Sequence, residues 1–322
     1  MSTAARLSAY GAVVVLLGAV AFVAGATLGA PTGHLRPAAA DTGPPPAPPP
    51  VPAETPGGLA TSENGYTLVP ATTTLPAGTP TELAFHVNGP DGRPVTAFDV
   101  AHEKRLHLIL VRRDTAGFQH LHPTMSADGT WRTPVTLAGA GTYRAFADIA
   151  PTGGTPTTLG VDLFVPGEFS PVDPQPNRRA TAPGGYEVTL DGELVPGRPG
   201  DVTLTVTRNG APVTDLQPYL GAFGHLVALR GGDLGYLHVH PDGAPGDGRT
   251  APGPAITFHA EVPSAGSYRL FLDFRHDDEV RTVQFTVPTA AGHPTGGAPA
   301  TVPAPEAPAP EAPGHEHAEG GH

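Results

Sequence analysis

Short apolar runs broken by turn residues fill most of the chain between residues 61 and 289. "ELAFHV", "LHLILV", "TYRAFADI" and "VDLFV" come first, and "DVTLTVT", "GHLVALR", "SYRLFLDF" and "VQFTV" follow. They are rich in Val, Leu, Phe, Tyr and Thr and are separated by Gly, Pro and Asp, the pattern of strands joined by turns. Helical periodicity is weak here. Short strands at this spacing predict immunoglobulin-like β-sandwiches, with a small closed barrel as the alternative. In "LHLILVR" both alternating sets are apolar: Ile109 and Val111 follow His107 on one side, and Leu106, Leu108 and Leu110 form the other. That predicts a central strand covered on both faces.

The pattern occurs twice. "HLILVRRDTAGFQHLHP" from His107 aligns without gaps to "HLVALRGGDLGYLHVHP" from His225, at an offset of 118. Upstream, "PVT" at Pro94 recurs at Pro212 with the same offset, and "GYTL" at Gly65 answers "GYEV" at Gly185. Downstream, "TYRAFADI" from Thr142 answers "SYRLFLDF" from Ser267 after a small insertion. An internal repeat of this size predicts two tandem domains. We place the first sandwich at residues 61–168, a linker at 169–184 and the second sandwich at 185–289.

The two ends differ from this middle. Residues 1–30 hold "YGAVVVLLGAVAFVAGATLGA", an uncharged apolar run from Tyr10 to Ala30 that is long enough to span a bilayer. Arg6 and the amino terminus on its short side predict that the bulk of the chain lies outside the cytoplasm. The rival reading is a signal peptide cleaved after the A-x-A-like Ala24 and Ala26. Either way the remainder is exported, single-pass and membrane-tethered or secreted. Residues 31–60 are a proline-rich spacer of polyproline character. Residues 290–322 form an Ala/Pro/His tail that reads as disordered.

Composition narrows the chemistry. No cysteine is present, which excludes disulfides, thiolate metal sites and a cysteine nucleophile. The net charge of −12 and the absence of a basic patch argue against nucleic acid as a partner. No phosphate loop and no serine nucleophile elbow occur, so the expectation is a protein without catalysis. Asp114 and Asp233 sit in predicted turns, where aspartate is common.

Histidine is the informative residue. Each repeat carries H-x12-H-x-H-P: His107, His120 and His122 in the first, His225, His238 and His240 in the second. Residues two apart on a strand share a face, with side chains roughly 6.5–7 Å apart at their bases. If the two runs form a hairpin with an even loop centred near Arg113–Ala116, His107 falls opposite His122 and His120 lies diagonally on the same side. The same arithmetic sets His225 opposite His240. An odd loop would send the first histidine to the other face. Three imidazoles without sulfur suit copper, zinc or nickel, and we expect a copper or zinc ion. Weaker candidates for a fourth ligand are Asp148 and Asp273, which match across the repeats and could instead accept imidazole N–H bonds, and Met125. The tail's His315 and His317 form a loose candidate pair. His86, His102, His259 and His276 occur in one repeat only and read as structural or surface residues.

The segment "FDVAHEKRLHLILVRRDTAGFQHLHPTM" resembles bacterial exported proteins of the YtkA-like type. The H-L…H-x-H-P pattern carries the resemblance, in the hairpin of both repeats. It implies an immunoglobulin-like fold and metal handling outside the cytoplasm, through His107, His120 and His122 and through His225, His238 and His240. The second repeat lacks the "HEK" that precedes the first histidine of the first. The expectation is therefore an extracytoplasmic protein that binds copper or zinc for sequestration, delivery or resistance. The alternative is a non-catalytic envelope protein that engages a protein partner, with histidines that only pack the core.

Overall fold

The computed structural model describes residues 56–237 and 239–290. These residues are all-β, and they form two immunoglobulin-like sandwiches in tandem. The apolar Tyr10–Ala30 run, most of the proline-rich spacer and the tail lie outside them.

Repeat one contains β1 (Ser62–Glu63), β2 (Tyr66–Pro70), β3 (Thr81–Asn88), β4 (Leu106–Arg112), β5 (Gln119–Leu121), β6 (Thr124–Met125), β7 (Trp131–Val135), β8 (Gly141–Ile149) and β9 (Thr157–Val165). Repeat two contains β10 (Arg179–Ala182), β11 (Tyr186–Asp191), β12 (Pro199–Arg208), β13 (Ala211–Pro212), β14 (Gly224–Arg230), β15 (Tyr236–Leu237), β16 (His240–Pro241), β17 (Ala255–Glu261), β18 (Ser267–His276) and β19 (Glu279–Pro288). The second sandwich thus starts with β10, inside the segment read from sequence as linker.

Each sandwich pairs two antiparallel sheets. In repeat one the orders are β1-β2-β3-β7-β6 and β5-β4-β8-β9. In repeat two they are β10-β11-β12-β17-β16, with β13 on β12, and β15-β14-β18-β19. The inward faces supply separate cores. Leu83, Phe85, Trp131, Leu108 and Tyr143 are buried in the first. Tyr186, Leu204, Phe258, Leu270 and Phe285 are buried in the second.

The outward faces of two sheets are also apolar, and they meet. Ile109, Val111 and Phe146 from repeat one pack with Val227, Leu229, Leu234, Tyr236 and Phe271 from repeat two. The Phe118 ring stacks on Phe271 with centroids 3.9 Å apart, and Phe146 meets Tyr236 at 5.6 Å. The two sandwiches therefore form a four-layer stack with three apolar interlayers among the described residues. All seven residues of β4 are buried, because its even-numbered residues face their own sandwich and its odd-numbered ones face the other.

A strap closes one side of this seam. Gly57 exchanges backbone bonds with Tyr236 on the edge of repeat two, at 3.1 and 3.0 Å. Gly58 N donates to Thr158 O at 2.7 Å, and Gly160 N donates to Ala60 O at 2.8 Å, on the edge of repeat one. The buried Arg144 donates to Gly58 O and Leu59 O. The fit requires glycine: a Cβ on Gly58 would stand 2.3 Å from the Phe146 ring, and one on Gly160 would stand 2.0 Å from Gly58 O.

Candidate metal centre at the seam

The hairpin register decides which face the histidines share. Leu108 pairs with Leu121, Ile109 with His120 and Leu110 with Gln119. The next step along this ladder sets His107 against His122, as the even loop predicts. The turn is built around Asp114, which accepts bonds from the Arg112 guanidinium at 2.8 and 2.7 Å and from Ala116 N at 3.2 Å. Its carboxylate also receives Val172 N at 2.8 Å. Gly117 and Thr115 take positive φ values of 63° and 67° to complete it.

His107, His120 and His122 therefore come together, each offering a ring nitrogen, all within 4.8 Å of one another. They stand on the seam face, at the end of the Ile109–Val111 apolar strip. His107 Nε2 lies 3.1 Å from Ala101 O, and a carbonyl can only accept, so Nε2 carries the proton and Nδ1 is bare. His120 Nδ1 lies 2.7 Å from Asp273 Oδ2, so that nitrogen donates to the carboxylate. The remaining His120 Nε2 faces His107 Nδ1 at 3.1 Å. Two bare lone pairs at that distance repel. Either a proton on His120 Nε2 or a cation shared by both nitrogens relieves the contact. His122 Nε2 is buried and makes no hydrogen bond.

Metal–imidazole bonds of roughly 2.0–2.1 Å place two cis nitrogens on the order of 2.9–3.4 Å apart, between square and tetrahedral angles. The observed 3.1 Å falls inside that range. Burial, with repulsion from neighbouring imidazoles, keeps His107 and His122 neutral, the form a metal binds: His107 is pushed down to about 3, and His122 to about 4. The donor set fits a transition metal.

The second repeat enters the same place differently. Asp273 lies opposite His225 in the β14–β18 ladder. Its Oδ1 accepts from Thr282 Oγ1 at 2.5 Å while its Oδ2 holds His120 across the seam. The expected role of Asp273 as an imidazole acceptor thus falls on a histidine of the other repeat. His225 stacks near His107 with centroids 6.1 Å apart, and its Nε2–H donates to Leu220 O at 3.0 Å. This copies the His107–Ala101 arrangement. Burial lowers His225 to about 4.

The remaining described candidates do not join the triad. The pairing of His225 with His240 does not form: His240 joins β17 opposite His259, exposed, in the other sheet. In repeat one the corresponding change of sheet comes after His122, before β6. His238, His315 and His317 lie outside the described residues. Met125 pairs with Trp131 and packs against the repeat-one core, away from the histidines. Asp148 stands opposite His107 in the β4–β8 ladder and accepts from Thr158 Oγ1 at 2.9 Å.

Two flanking groups were not among the expected ligands: His102, read from sequence as structural or surface, and Tyr219. The His102 ring lies 5.1 Å from His225 and 6.0 Å from His107, on a residue with φ of 48°. The Tyr219 ring lies 6.3 Å from His225 and 6.4 Å from His122, and burial raises its hydroxyl to about 12. The "HEK" run was the only sequence hint of the first, and nothing marked the second. His276, by contrast, is structural, bonded to Tyr186 Oη at 2.6 Å and Asp215 at 3.0 Å.

A family model described as "Domain of unknown function (DUF8832)" matches residues 60–166 and 180–291, once for each repeat. No curated protein matches the chain. Among solved structures, the Escherichia coli adhesin FdeC is 15% identical, covering 72% of this chain and 66% of its own, with a TM-score of 0.24. Salmonella alpha-2-macroglobulin is 12% identical over 73% of this chain and 15% of its own, with a TM-score of 0.23. Invasin, a bacterial integrin-binding protein, is 12% identical over 73% of this chain and 41% of its own, with a TM-score of 0.22. The chain spans less than two thirds of each of these structures, and at such TM-scores none bears on what it does.

Proposed function

We propose, for a chain that belongs to the DUF8832 family, a non-catalytic, extracytoplasmic protein that binds a transition metal, copper or zinc, at the seam between its two sandwiches. One observation carries the reading: three imidazoles whose ring nitrogens converge within 4.8 Å, with His107 fixed in the tautomer that leaves Nδ1 bare and His122 Nε2 buried without a bond. Buried polar atoms are ordinarily paired, and an orphan beside two other donors suits a cation. The resemblance of the H-x-H-P motif to YtkA-like sequences points the same way. Sequestration, delivery or resistance is the role that fits a site without a placed general base. Export, by a retained anchor or a cleaved signal, rests on the apolar Tyr10–Ala30 run.

The test is calorimetric titration of Zn(II) and Cu(II) into the full chain with His293, His315, His317 and His322 replaced by alanine, so that the tail cannot contribute. One ion per chain is expected, and His120→Ala with His122→Ala is expected to remove it. Absence of binding by the parent chain, or unchanged binding by the double variant, would defeat the metal reading.

A second reading has its own support. The His120–Asp273 pair is nearly sealed from solvent, with side chains 5% and 4% exposed. It ties the two repeats together without any ion. On this reading the chain is a structural or interaction protein of the envelope, and the histidines specify how its sandwiches pack.

A further inference from the structure

We infer that the metal acts as a lock between the two repeats, and that Asp273 of repeat two is the positioning residue that makes the repeat-one triad competent. The inference rests on the metal reading above and goes beyond it, because it assigns the site to the docked pair of sandwiches rather than to one.

Among the described residues the converging nitrogens belong to repeat one, yet their orientation does not depend on that repeat alone. His107 is held from within its own repeat by Ala101 O, whereas His120 is held by Asp273 Oδ2 at 2.7 Å, from the opposite sheet. With Nδ1 bound to that carboxylate, the imidazole must turn Nε2 towards His107 Nδ1 and His122. A carboxylate on the far nitrogen of a ligating imidazole fixes its tautomer and raises its basicity. Asp273 is itself fixed, by Thr282 Oγ1 on Oδ1 and by its place opposite His225 in the β14–β18 ladder. Hydrophobic stacking of Phe118 on Phe271 brings the sheets to the required spacing, and Phe271 is two residues from Asp273 on the same face.

A ligand that binds the docked state better than the separated state stabilises docking by linkage. Zn(II) held by a triad that Asp273 orients must therefore tighten the contact between repeats, and separation of the repeats must weaken the site.

The experiment uses the full chain with the four tail histidines replaced, and Zn(II) as the probe. Asp273→Asn keeps shape but loses the charge, and it is expected to weaken Zn(II) binding 10- to 100-fold. It should also shift the visible spectrum of the Co(II)-substituted protein, a readout that a merely packing role for Asp273 would leave alone. Hydrogen exchange of the parent chain should slow on Zn(II) addition in Gly224–Arg230 and Ser267–His276 of repeat two, as well as in the triad strands. Should Asp273→Asn fail to fold, Thr282→Val, which removes the support on Oδ1, takes its place with an expected loss of several-fold. A parent chain that binds Zn(II) tightly, with exchange slowed in repeat one alone and Asp273→Asn binding equally well, overturns the lock and leaves the site standing. A parent chain that takes up no Zn(II) overturns the metal reading and the lock together.

Discussion

His120 sits where three demands meet: its Nδ1 serves the Asp273 carboxylate, its Nε2 faces His107, and its backbone belongs to a three-residue strand. Around it, the buried His107 and the half-buried His122 and His225 are held neutral, at about 3, 4 and 4 against an ordinary value of 6.5. A histidine whose folded-state value lies below its unfolded one binds protons more readily when unfolded. The stability tied to its neutral form is complete above about pH 6.5 and is lost as the pH falls towards 4. The metal-free chain should thus show a falling urea midpoint between pH 6.5 and 4, and His107→Asn with His225→Asn should flatten that fall. In the folded chain His107 and His122 take up protons only near pH 4 and below, so loss of Zn(II) affinity through their protonation should begin there.

At the scale of elements, the β4–β5 turn controls the site, because a one-residue slip would move His120 to the other face. Asp114→Ala removes the Arg112 and Ala116 bonds that pin the turn. A loss of about 1–3 kcal/mol in urea unfolding is expected, given the near-complete burial of the pair and the unmatched Arg112 it leaves. The register was legible only as a condition: an even loop puts His107, His120 and His122 on one face and an odd loop does not, and the pairing of Ile109 with His120 decides for the even one. The double-sided burial of β4 was legible too, from Leu106, Leu108 and Leu110 alternating with Ile109 and Val111. The repeat itself suggested two equal clusters, and this did not form. His122 and His240 precede identical prolines, but a long-range pairing with His259 draws His240 into the other sheet. Local pattern carries no information about which distant strand competes for a residue. The meeting of Asp273 with His120 was hidden for the same reason, as it depends on how two folded surfaces dock.

For the whole molecule, the third apolar layer matters as much as the two cores. Ile109, Val111, Phe146, Leu229 and Phe271 are as buried as residues inside either sandwich. The repeats should therefore unfold in one calorimetric transition rather than two. Phe271→Ala, at a fully buried position, should cost about 3–5 kcal/mol and split or broaden that transition.

The strap at Gly57–Ala60 gives this coupling a mechanical side. A pull arriving along the chain from the N-terminal direction reaches Pro56 and then Gly57, whose bonds are to repeat two, before it reaches Gly58, whose bond is to repeat one. Load would thus fall first on the Gly57–Tyr236 pair at the edge of repeat two and only then on the Gly58–Thr158 bond of repeat one. Tension on the chain would strip the strap from Tyr236 before it reached the first strand of repeat one, so the strap yields ahead of the apolar layer that keeps the sandwiches docked.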